Sequence, residues 1–228
     1  MSENNLENLR KKIVDLASES LKNNDATGWF ETVYTDAKGD SSQVPWAKST
    51  THPYLQDWLE KYPPQTEGKT AIVIGCGLGD DAEVLAKLGF KVTAFDISPT
   101  AISWCQQRFP DSEVNYFVGD LFNLDSSLQH SFDFVFECRT IQALPLKMRS
   151  DSIEAISSLV AKKGTLIVIT RYRDSETEPD GPPWPLWPLS EGELSQFKQL
   201  GLEEVRRDIF IEEDKPGMVQ LRLQYQRL

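Results

Sequence analysis

The chain has 228 residues, a formal net charge of −11 and a pI near 4.7, enough length for one large α/β domain or two small ones. That acidity argues against tracking along nucleic acid, which needs clustered Lys and Arg; the densest basic spots, Arg10-Lys11-Lys12 and Arg206-Arg207, are diluted by acids. It reads as solubility charge, and it suits a small neutral or cationic substrate better than a polyanion.

Cys76, Cys105 and Cys138 show no CxxC or Cys/His ligand spacing and read as reduced core thiols. With only His52 and His130 present, no histidine-rich metal site is expected. The N-terminus "MSENNLENLRKK" lacks an apolar core, and no apolar run approaches the ~18 residues of a membrane span, so a cytoplasmic monomer is expected.

Along the chain, Leu6, Leu9, Ile13, Leu16, Ala17 and Leu21 mark one face of a helix over residues 3–22. The following segment to residue 53 is polar and turn-rich but carries Trp29, Phe30, Tyr34 and Trp46, which suggests a loop folding over something. A short helix over 53–62 stops before Pro63-Pro64. "TAIVIG" is a continuous apolar strand, as expected where both sheet faces are covered. A helix follows at 80–88, then the strand "KVTAFDI", then a helix over 99–108 with Ser98 as N-cap and Pro99 in first position. "EVNYFVGD" and "FDFVFECR" are further strands. A helix over 147–161 leads to the strand "GTLIVITRYR". The proline-rich loop "DSETEPDGPPWPLWPL" precedes a helix over 191–200 capped by Ser190, and strands over 203–212 and 218–227 close the chain around "DKPG".

Strands alternating with helices predict a Rossmann-like, mostly parallel seven-stranded sheet with helices on both faces and an antiparallel C-terminal hairpin strand. A single domain over 1–228 is expected, with 1–66 as N-terminal helix and lid and 67–228 as cofactor-binding core. Ligands of such sheets lie at the carboxyl ends of the strands. Those ends carry Gly75-Cys76-Gly77, Asp96, Asp120, Glu137 and Arg171.

The turn "GCGLGDD" is nearly a dinucleotide fingerprint, but Asp80 and Asp81 sit where a pyrophosphate needs bare backbone N–H groups. They read as helix caps. Asp96 is placed to accept ribose hydroxyls and Asp120 an adenine amino group. A phosphate-free adenosyl ligand with an ammonium and a sulfonium suits this acidic rim: S-adenosyl-L-methionine. Glu137 and Arg139 either face that ligand or pair with each other. Cys76 has no adjacent cation to activate its thiol.

"VIGCGLGDDAEVLAKLGFKVTAFDIS" resembles the first two motifs of class I S-adenosylmethionine-dependent methyltransferases, and most nearly the thiopurine S-methyltransferase-like (TPMT-like) group. Trp29 and "VPW" ending at Trp46, "FDFVFECRTIQALP" and "DGPPWPLWPLSEGEL" are similar to that group's further motifs, in order, from about residue 28 to 228. The resemblance implies that Gly75, Cys76 and Gly77 lie against the cofactor's methionine portion and that Asp96 holds its ribose. It implies Ile97 against the adenine, Asp120 and Leu121 at the adenine's amino edge, Glu137 or Arg139 at the methionine end, and Trp29 and Trp46 as cover. Where the family often has a second aromatic four residues after the first tryptophan, this chain has Val33, with Tyr34 beside it. The "WPLWP" insertion departs from the shorter family loop. Tyr34, Arg171, Tyr172 and Trp184 are candidates to line the acceptor site, with Arg173 and Asp174 nearby. No catalytic residue is assigned.

The expected activity is methyl transfer to a small molecule through S, N, O or halide, with a thiol or thiopurine-like acceptor fitting the resemblance. The alternatives are a nicotinamide-dependent oxidoreductase and a non-catalytic S-adenosylmethionine-binding regulator.

Overall fold

The computed structural model describes residues 3–177, 187–211 and 218–228. The helices are α1 (Glu3–Lys22), α2 (Gly28–Ala37), α3 (Pro53–Lys61), α4 (Asp80–Lys87), α5 (Pro99–Arg108), α6 (Thr140–Ala143), α7 (Arg149–Leu159) and α8 (Glu191–Gln199). The strands are β1 (Thr70–Ile74), β2 (Lys91–Asp96), β3 (Asn115–Val118), β4 (Phe132–Cys138), β5 (Val160–Tyr172), β6 (Leu202–Ile211) and β7 (Val219–Arg227).

They form one seven-stranded sheet in the order β3-β2-β1-β4-β5-β7-β6. The first five strands are parallel, and β7 enters antiparallel between β5 and β6. The strand order reverses between β1 and β4, so their carboxyl ends diverge into a crevice where ligands of open α/β sheets sit.

Each central strand buries both faces. In β1, Ala71 and Val73 pack toward α3 and α4, while Ile72 and Ile74 pack toward α7 and α8. In β5, Ile167 and Ile169 repeat the first pattern, and Leu166 and Val168 the second. The apolar runs in the sequence follow from this two-sided burial. Two helix starts have the predicted chemistry: the Ser98 hydroxyl accepts from Ala101 N at the head of α5, and Ser190 with Glu193 forms a reciprocal capping box at α8.

The long segment before residue 53 is not a loop throughout. Residues 28–37 form α2, which buries Trp29, Val33, Tyr34 and Ala37 against α1, Leu78 and Ala101. The 4-residue spacing of Trp29, Val33 and Ala37 is helical, and tertiary burial selects it. Likewise α6, of four residues, is an unforeseen turn of helix after β4.

Phe134 is 2% exposed in β4, with the Trp58 and Phe90 rings at 5.5 and 5.4 Å. Phe134→Ala is expected to destabilise the chain by about 3–5 kcal/mol, measured by urea unfolding.

Candidate active site

The glycine turn joins β1 to α4. Gly75 and Gly77 both take left-handed φ, +58° and +55°, which a side chain would strain. A Cβ on Gly75 would also lie 2.7 Å from Thr140 Oγ1, and one on Gly77 3.3 Å from the Tyr34 hydroxyl. The turn is pinned to the end of β2: Cys76 N donates to Phe95 O at 2.9 Å, and Gly77 N donates to Asp96 Oδ2 at 2.9 Å. The other Asp96 oxygen accepts from Ser98 N at 3.0 Å. Asp96 is 7% exposed, and burial pushes its pKa up to about 6, with Glu31 adding and the backbone N–H groups opposing. Each carboxylate oxygen still has acceptor capacity for a further donor.

Asp80 and Asp81 are not caps. Gly79 is the N-cap of α4 and offers no side chain, while both acids reach sideways from the first turn. Asp80 holds Arg108 through both oxygens, at 2.8 and 2.9 Å. Asp81 accepts from His52 N at 2.7 Å, and burial, then Asp80, raise its pKa to about 6. Two carboxylates at this helix start disfavour a pyrophosphate, so the dinucleotide alternative does not fit the turn.

An aromatic lid stands over the turn. Tyr34, 1% exposed, accepts from Trp46 Nε1 at 2.7 Å, and Trp46 stands edge-on to both Tyr34 and Trp29, with centroids 5.8 Å apart in each case. Trp29 is buried, whereas Trp46 is 38% exposed. Burial and the nearby Asp96 hold the Tyr34 phenol protonated. Tyr34 thus lies in the lid, against the glycine turn. Glu31 fastens α2 to α5, accepting from Ser98 Oγ at 2.5 Å, Thr100 Oγ1 at 2.6 Å and Thr100 N at 3.2 Å. It has no counterpart in the sequence reading; only its place on the same helical face as Thr35 (i, i+4) pointed outward from the core.

On the adenine side of the expected ligand, Ile97 is half-buried and Leu121 buried. Asp120 is exposed, with one oxygen accepting from Phe122 N at 3.0 Å. At the carboxyl end of β4, Glu137 within the strand and Arg139 just after it do not pair. Glu137, fully buried, accepts from Thr140 N at 2.6 Å and Ile141 N at 3.1 Å through Oε1, and so starts α6. Its Oε2 has no partner among the described residues, and burial raises its pKa to about 7. Arg139 adopts a left-handed φ of +64° and donates to Gln220 Oε1 on β7. The contact with Cys105, then burial, raises the Cys76 thiol's pKa well above its usual value.

Arg171 ends β5, its backbone N–H donating to Gln142 Oε1 at 2.7 Å; Tyr172 is half-buried and bridges to Leu189. Trp184 and most of "DGPPWPLWPL", together with "DKPG", lie outside the described residues.

S-adenosylmethionine fits these residues. The bare backbone at Gly75 and Gly77, Asp96 at the end of β2, and the orphaned Oε2 of Glu137 on β4 suit a ligand that carries positive charge and no phosphate. No group of three His, Cys, Asp or Glu among the described residues could hold a metal ion, and no helix among them is long and apolar enough to cross a membrane.

A family model described as Thiopurine S-methyltransferase (TPMT) matches residues 36–215. A probable thiopurine S-methyltransferase of Yarrowia lipolytica is 27% identical over 203 residues, covering 76% of this chain and 90% of its own. A thiopurine S-methyltransferase of Shewanella pealeana is 29% identical over 168 residues, covering 64% and 73%. Among solved structures, magnesium protoporphyrin IX methyltransferase from Synechocystis PCC 6803 with bound SAH shares the fold with a TM-score of 0.60. It is 18% identical, covering 77% of this chain and 81% of its own.

A ribose held by Asp96 would make cofactor affinity pH-dependent. Protonation removes the charge that ribose hydroxyls would donate to, so affinity for S-adenosylhomocysteine should rise as pH climbs through about 6 and then level. Calorimetric titrations across pH check this. Asp96→Ala should remove the step near pH 6 and weaken binding by about 1–3 kcal/mol.

Proposed function

The chain belongs to the thiopurine S-methyltransferase family and is an S-adenosylmethionine-dependent methyltransferase; we propose that its acceptor is a small molecule attacked at a thiol or thiopurine-like sulfur. The relatives named thiopurine S-methyltransferase support the sulfur, and the lid supports the size. The carrying observation is the lid. With Glu31 fastened to α5 and Tyr34 against Gly77, a macromolecular segment would have to displace α2 to reach the crevice.

Bound S-adenosylmethionine supplies an electrophilic sulfonium methyl. The backbone at Gly75, Cys76 and Gly77 gives its methionine portion a close approach, and Asp96 accepts from its ribose. Ile97 and Leu121 pack at the adenine, with Asp120 at the amino edge. Glu137, through its unpartnered oxygen, is the acid available to the ammonium. Trp29 and Trp46 exclude water. Arg139, Arg171 and Tyr172 border the acceptor side. In this reading the protein's main contribution is alignment of the nucleophile with the methyl carbon and dehydration of the crevice. The reaction would run in the cytoplasm on a single-domain monomer, with neither nucleic acid nor membrane as partner.

A methyl-transfer assay with thiophenol, a thiopurine, iodide and an amine tests the reading. Methylation of the sulfur compounds with release of S-adenosylhomocysteine is expected. Transfer only to the amine, or to none of the panel, overturns the sulfur assignment.

A further inference from the structure

His52 takes no part in the cofactor reading, yet it stands beside the crevice with its proton assigned by the backbone. It is the N-cap of α3: its Nδ1 accepts from Tyr54 N at 3.3 Å. Its own N–H donates to Asp81 Oδ1 at 2.7 Å, which ties it to the first turn of α4 directly after the glycine turn. A ring nitrogen that accepts carries no proton, so the neutral imidazole has its hydrogen on Nε2. Burial, then the Arg139 guanidinium, hold the ring neutral with a pKa near 4. No group among the described residues takes the Nε2 proton.

The surroundings mark this as the acceptor end. In sheet order, Asp96 at the end of β2 and Asp120 just after β3 lie on the β1 side of the crevice, whereas Arg139, just after β4, and Gln220, on β7, lie on the other. Arg139 is a non-glycine residue in the left-handed region, a strain that gathers at functional rims. The groups facing His52 are Asp81 from α4, Arg139 after β4, and the Tyr54 ring, its centroid 5.2 Å away.

We propose that His52 is an acceptor-binding residue that donates its Nε2–H to the small-molecule acceptor and does not act as a base. The acceptor therefore carries a hydrogen-bond-accepting atom, such as a ring nitrogen or anionic heteroatom, and reacts through a lone pair that it already holds. That pair forms the bond to the methyl carbon, the carbon–sulfur pair leaves with the cofactor's sulfur, and the His52 proton stays on Nε2 throughout. This rests on the methyl-transfer reading above.

Two measurements decide it. The chain has only two histidines, so 15N NMR of the protein with S-adenosylhomocysteine bound can read each ring. The proton is expected on Nε2 of His52, with no titration between about pH 5.5 and 9 and a shifted Nε2–H on adding thiophenol or 6-mercaptopurine. A proton on Nδ1, a titration near the ordinary value, or no shift with either compound overturns the proposal.

Variants then separate capping from donation. His52→Asn keeps the cap but its amide stops short of the Nε2 position, and should raise KM for the methylated acceptor with an unchanged pH profile. His52→Asp caps but cannot donate, and should raise that KM about tenfold, the loss for one hydrogen bond, with S-adenosylhomocysteine affinity and Tm unchanged. An Asn variant that loses kcat together with a limb of the pH profile would mark His52 as a base instead. Failure of the wild type to bind S-adenosylhomocysteine would count against the underlying reading and not against the ring assignment.

Discussion

The contact on which the site depends is the one between the Asp96 carboxylate and the N–H of Gly77. It locks the glycine turn to the end of β2, and the second Asp96 oxygen locks the start of α5 to the same point. Once the turn is held, its two left-handed glycines leave room for only particular neighbours. Thr140 closes on Gly75 from α6, and Tyr34 on Gly77 from α2. The turn is thereby clamped on three sides before any ligand arrives, which lowers the ordering cost of binding. The opposing effect is desolvation, visible as the raised pKa of Asp96 and moderated by the backbone N–H groups of Ser98, Gly77 and Ile97 rather than by a Lys or Arg.

The same balance recurs around the crevice. Asp81, Asp96 and Glu137 are all pushed upward by burial, and each leans on backbone N–H groups for partial relief. Nearby Arg108 is committed to Asp80 and to Leu78 O, and Arg139 reaches away to Gln220. Unneutralised acids therefore gather around the crevice, and a cationic ligand would relieve them.

How far the sequence disclosed this varies with the range of the interaction. The apolar runs of β1, β4 and β5 and the caps at Ser98 and Ser190 are local features, and the structure reproduces them. Helix α2 was hidden because Thr27 makes no side-chain cap and the segment is polar; the 4-residue spacing of Trp29, Val33 and Ala37 was the signal available. Asp80 and Asp81 look like caps in sequence, but a glycine holds the cap position and their partners lie 28 and 29 residues away. His52 is legible only as an N-cap before Pro53. Its place beside Arg139 comes from folding alone.

That distinction bears on why one cofactor pairs with many acceptors on such a fold. In the proposed reading the cofactor side is built from residues 75–121 and Glu137, with the lid laid over it. The other side joins distant parts of the chain, because α3 is held to the C-terminal strands by a buried arginine. Arg222 on β7, 1% exposed, binds Asp57 and Tyr54 O on α3 and Asp208 on β6, while the Tyr54 ring stacks on Phe210 at 3.8 Å. The orientation of His52 therefore depends on strands β6 and β7, whose insertion order also brings Gln220 to Arg139. Changes in the C-terminal strands can reshape the acceptor side without touching the glycine turn or Asp96, so acceptor choice is free to diverge while cofactor handling stays fixed.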